Sequence, residues 1–109
     1  MSHAQREKIG NIKTRVKEYA DLLKASGFPV LKVFLYGSYA KGNFKNGSDI
    51  DVCIVSKAYD PYDDKSRLFL WQKRREINVR IKPVGYRPEE FQDSNPLVHE
   101  IRKYGIRIV

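Results

Sequence analysis

With 109 residues, 41% of them hydrophobic and 31% charged, the chain suits one compact domain (1–109) with a single modest core; a second domain and a disordered chain are excluded. No apolar stretch approaches the roughly 20 residues of a membrane helix, and Met1 to Gly10 is polar, which predicts a cytoplasmic protein away from the membrane. The formal net charge of +8 favours anionic partners such as nucleotide phosphates, nucleic acid or an acidic protein, without choosing among them.

Ile9, Ile12, Val16, Tyr19, Leu22 and Leu23 recur at helical spacing and predict a helix from Arg6 to Ser26, stopped by Gly27. Beyond Pro29, Leu31 to Tyr36 is apolar on both faces and predicts a central strand. Gly37-Ser38 ends it, and Ser38 to Lys41 forms one helical turn before a polar loop, Asn43 to Gly47. Asp51 to Val55 reads as a second strand, in which the lone Cys53 is a small buried hydrophobe with no disulfide partner.

A helix is expected from Asp63 or Asp64 to Arg75, with Leu68, Leu70 and Trp71 inward and Arg67, Lys73, Arg74 and Arg75 solvated. Ile77, Val79 and Ile81 alternate with Asn78, Arg80 and Lys82, the period of a half-buried strand that stops at Pro83. Pro88 to Phe91 begins a short helix, Asn95-Pro96 caps a last one to Tyr104, and Ile106 to Val109 adds an edge strand. Trp71, Phe69 and Phe91 read as core anchors, whereas His3 and His99 lack partners at metal-ligand spacing. The order predicts an α/β (α+β) layer: a small mixed sheet covered by helices.

The chemistry is concentrated between Leu35 and Val55. A glycine at a strand end lets the backbone approach a phosphate, and the N–H groups of the following turn with the Ser38 hydroxyl can donate to its oxygens. Asp49 and Asp51 are two apart at the start of a strand, so they face one way and can share a hard cation, for which Mg²⁺ is the natural choice.

Gly37-Ser38-Tyr39-Ala40-Lys41-Gly42 followed by Ser48-Asp49-Ile50-Asp51-Val52 resembles the signature of minimal nucleotidyltransferases of the DNA polymerase beta superfamily. The resemblance covers nearly the whole chain and implies the nucleotidyltransferase fold. It implies that Gly37, Ser38, Lys41 and Ser48 hold the phosphates of a nucleoside triphosphate, ATP foremost, and that Asp49 and Asp51 are catalytic and bind Mg²⁺. Transfer of a nucleoside monophosphate to a hydroxyl follows from it, as does pairing as antitoxin with a HEPN-type partner; homo-oligomerisation is a further expectation. Binding to nucleic acid is the less favoured alternative.

The same resemblance implies a third carboxylate on the strand assigned to Glu76–Pro83, at Asn78, Arg80 or Lys82, and none of these is acidic. Three explanations stay open: Glu76 reaches the site through an unusual register, two acids suffice, or the domain binds nucleotide without efficient turnover. Positive charge on Arg80 and Lys82 would then partly replace a second metal at the triphosphate.

Overall fold

The computed structural model describes residues 1–109. Ser2 opens the first helix: its hydroxyl accepts from the Gln5 N–H while the Gln5 side chain accepts from the Ser2 N–H. This capping box starts α1 at His3–Ala25, ahead of the apolar stripe from which the helix is predicted. Ile9, Val16, Tyr19, Ala20 and Leu23 are its buried face.

Four strands follow, β1 (Lys32–Tyr36), β2 (Ile50–Val55), β3 (Ile81–Tyr86) and β4 (Ile106–Arg107), in the order β3-β2-β1-β4. β1 is antiparallel to both β2 and β4, whereas β2 and β3 are parallel. A parallel pair needs a crossover. Here α3 (Asp64–Lys73) and a 3-10 turn, Arg74–Glu76, supply it.

Strand alternation sorts the core into two layers. Val33, Leu35, Ile50, Val52, Ile54 and Ile81 face α1 and Leu70 of α3. Phe34, Tyr36, Cys53, Val55 and Tyr86 face Phe91 with Val98 and Ile101 of α4 (Pro96–Tyr104). Both central strands are therefore covered on both sides, which explains why they read as continuous apolar runs. Burial in this second layer pushes the Cys53 thiol up to about 12 and leaves it inert as a nucleophile.

The third strand departs from expectation. Ile77, Val79 and Ile81 are not one strand face: Ile77 packs against the core from the turn before the strand, Val79 is 68% exposed, and only Ile81 enters the strand. The strand continues through Pro83 instead of stopping there. The Ile50 N–H donates to the Arg80 carbonyl at 2.9 Å and the Ser56 N–H to that of Tyr86, also at 2.9 Å. By parity the even residues face β2, so the nitrogen of Pro83 points outward from an edge strand, where a missing donor is harmless.

Helix α3 also differs. Only Leu70 is buried; Leu68 and Trp71 are 45% and 44% exposed, so Trp71 is not a core anchor, whereas Phe69 stacks on Phe28 and Phe91 is buried. Arg74, expected in solvent, is 8% exposed. Its guanidinium stacks on the Trp71 ring at 3.7 Å and donates to the Val79 carbonyl, tying the 77–80 turn to the helix. Arg74→Ala removes that bond and the stacking together, an expected loss of about 2 kcal/mol. A melting temperature lower by about 10 °C checks it.

Candidate functional site

Tyr36 ends β1, and the chain turns at Gly37 with φ 74° and ψ −146°, a conformation open essentially to glycine alone. A short helix, α2 (Ser38–Lys41), starts there and ends at Gly42. The first N–H groups of such a turn have no intrahelical acceptor and point outward.

The return loop is fixed by its own side chains. The Ser48 hydroxyl accepts from the Lys45 N–H at 2.8 Å, and the Ser48 N–H donates to the Lys45 carbonyl at 3.0 Å. Lys8 Nζ of α1 donates to Asn46 Oδ1 at 2.6 Å, and Phe44 stacks on the buried Tyr39 ring at 4.6 Å. A loop held at both ends delivers Asp49, exposed, and Asp51, half-buried, to the start of β2.

Asp51 is the hinge of the geometry. It is the register partner of Tyr36 on one side and of Lys82 on the other. It lies so close to Gly37 that a Cβ there would collide with Asp51 Oδ2. The glycine turn and the carboxylate therefore form one surface. Burial holds the Asp51 carboxyl above the usual carboxylate range; Lys82 opposes the shift, while Asp49 and Glu100 reinforce it. Burial, and then Asp51, push the Tyr36 hydroxyl well above its ordinary value.

Of the residues predicted from sequence, Gly37 and Asp51 meet directly, and Asp49 and Ser38 flank them. Ser48 accepts from the Lys45 N–H across its loop, which leaves its hydroxyl proton to donate. Lys41 pairs with Glu100 of α4 at 2.6 Å and lies 5.5 Å from the Tyr104 ring, and the Glu100 hydrogen bond raises the Lys41 pKa. Glu76 does not reach the site: it sits in the 3-10 turn and pairs with Lys73 at 3.4 Å. Asn78 and Arg80 precede β3, so Lys82 alone occupies the sheet beside Asp51.

Sequence reading missed Glu100. It stands 59 positions from Lys41, and no local pattern reports such a pairing.

No third His, Cys, Asp or Glu completes a metal cluster with Asp49 and Asp51. Two carboxylates against an open glycine turn still fit one hard divalent cation whose remaining ligands are water and phosphate oxygens. The site is also unroofed. The three surface cavities lie elsewhere, the largest a groove of about 410 Å³ between α1 and β4 lined by Lys13, Lys17, Ile106 and Arg107. No helix is long and apolar enough to cross a membrane.

Comparisons with known proteins bear on the family and the fold. The model of the nucleotidyltransferase domain family matches residues 11–108. A "putative protein adenylyltransferase" of Methanocaldococcus jannaschii is 28% identical over 104 residues, covering 94% of this chain and 99% of that protein. A crystal structure of a "putative nucleotidyltransferase" from Sulfolobus solfataricus superposes with a TM-score of 0.68 at 21% identity, over 98% of this chain and 87% of the other. A toxin–antitoxin structure with AMP-PNP gives a TM-score of 0.61 at 20% identity, over 89% and 72%. A mutant of the toxin–antitoxin pair MntA–HpeT gives 0.58 at 18%, over 84% and 70%.

Proposed function

From the premise that the chain belongs to the nucleotidyltransferase domain family, we propose that it transfers AMP from ATP to a hydroxyl of a protein acceptor. The observation that carries this reading is the contact between the Gly37 turn and the Asp51 carboxylate, which brings a phosphate seat and a metal ligand onto one surface. The M. jannaschii relative, named as a protein adenylyltransferase, supports a protein acceptor, and the neighbour with AMP-PNP supports ATP.

Gly37 and Ser38 receive the phosphates, and Asp49 and Asp51 would hold Mg²⁺. Bound there, the ion neutralises phosphate charge and orients the reacting groups. The acceptor hydroxyl gives up its proton to water as its oxygen bonds to the α-phosphorus, the bond from that phosphorus to the oxygen of the β-phosphate breaks, and pyrophosphate leaves.

A partner completes the site. Asp49 and Asp51 line none of the three surface cavities, so a second molecule has room to cover the site. A HEPN-type toxin fits that role, and the toxin–antitoxin neighbours support a toxin partner. The exposed Trp71, set among the arginines of α3 and the 3-10 turn after it, is of the residue type enriched at protein contacts.

A second reading, an antitoxin that binds nucleotide with little turnover, is favoured by one observation: the residue beside Asp51 is Lys82 and not an acid. Labelled ATP with Mg²⁺ and the product of the adjacent reading frame separates the two. Label on the partner supports transfer; tight complex formation without label supports the binding module.

A further inference from the structure

Lys82 is brought to the site by the register of a parallel pair, directly across from Asp51. Partners on adjacent strands project to the same face about 4.8 Å apart. The two side chains thus share one corner of the sheet, next to the Gly37 turn that Asp51 touches.

Lys82 is exposed, and none of the ion pairs of the chain uses it. The other basic residues implied at the phosphates are differently placed: Lys41 is engaged by Glu100, and Arg80 lies in the turn before β3. The uncommitted cation beside the acidic pair is therefore on β3.

Charge decides what this corner can hold. Asp49 and Asp51 suit one divalent ion, and no third carboxylate or imidazole joins them. A second ion at Asp51 would face a fixed ammonium of its own sign. A phosphate oxygen in that position would instead receive a charge-assisted hydrogen bond.

We propose that Lys82 is a nucleotide-binding residue that takes a phosphate oxygen where a second cation would otherwise sit, making this a one-metal site. The proposal rests on the nucleotide-site reading above and adds to it which group neutralises the phosphates. Lysine does this as a compact point charge with three donors, which tolerates several phosphate orientations.

The test is a binding measurement with the α,β-methylene analogue of ATP, which cannot transfer AMP. In chelator, the wild type binds the analogue; Lys82→Ala weakens it by about tenfold or more, and Lys82→Arg retains it within about threefold. Titration with Mn²⁺, followed by the paramagnetic signal of the free ion, gives one bound ion per nucleotide complex. Lys82 is exposed, so equal melting temperatures of the variants confirm intact folding.

Equal affinity of Lys82→Ala and wild type, binding strictly dependent on Mn²⁺, or two bound Mn²⁺ ions each overturn the one-metal assignment and leave the nucleotide site standing. Absence of wild-type binding under every condition overturns both.

Discussion

Asp51→Asn lowers nucleotidyl transfer on the order of a thousandfold, about 4 kcal/mol of transition-state stabilisation, and at the same time raises the melting temperature of the metal-free chain. Asn keeps the shape but loses the anionic ligand, so the phosphates lose the ion that Asp51 would hold. The gain in stability has a separate origin. Burial raises the Asp51 pKa above its ordinary 3.8, with Asp49 and Glu100 adding repulsion that Lys82 only partly offsets. A carboxyl whose folded pKa is raised costs stability above that pKa, and the cost disappears as pH falls through it toward 3.8. The wild type should therefore be less stable than Asp51→Asn at neutral pH and approach it in mildly acidic buffer, when both are melted without divalent ions. Parallel pH-melting curves check the second half and labelled ATP the first. A variant that loses transfer and also melts lower at neutral pH would mean that Asp51 holds the fold and not a ligand.

How the site could be read from sequence depends on distance along the chain. Gly37, Ser38 and Asp49 lie between two consecutive antiparallel strands and Asp51 in the second of them, and β1 pairs with β2 so that Tyr36 meets Asp51. Local pattern and spatial neighbourhood coincide there. β3 joins by a parallel crossover, where nothing local sets the register, and the alternation from Ile77 to Ile81 suggested a strand that begins too early. Parity nevertheless placed Lys82 on the polar face; only the register separates it from Asn78 and Arg80. The Lys41–Glu100 pair and the burial of Arg74 arise from packing between distant elements, and the second also runs against the ordinary solvation of its residue type. Leu68 and Trp71 read as inward because apolar residues on a helix usually are. A helix resting on a sheet edge buries a narrower stripe, and Leu70 fills it.

Gly37→Ala is the second change with a large expected effect, and it separates two costs that coincide in one residue. The first is conformational: φ 74° with ψ −146° is a region that a side chain occupies only at about 1–3 kcal/mol. The second is steric, because the new methyl group would overlap Asp51 Oδ2 and force the carboxylate away from the glycine turn. Stability should fall by about 2 kcal/mol, a melting temperature lower by about 10 °C, and nucleotide affinity by about tenfold or more through displacement of the ligand. A double-mutant cycle distinguishes the terms. In an Asp51→Ala background the obstructing oxygen is gone, so Gly37→Ala should cost only its backbone strain, and the shortfall from the single-variant cost is the steric coupling. An identical cost in both backgrounds would remove Asp51 from contact with the turn. The phosphate seat and the metal ligand would then be separate features, and the nucleotide site would lose the geometry on which it is built.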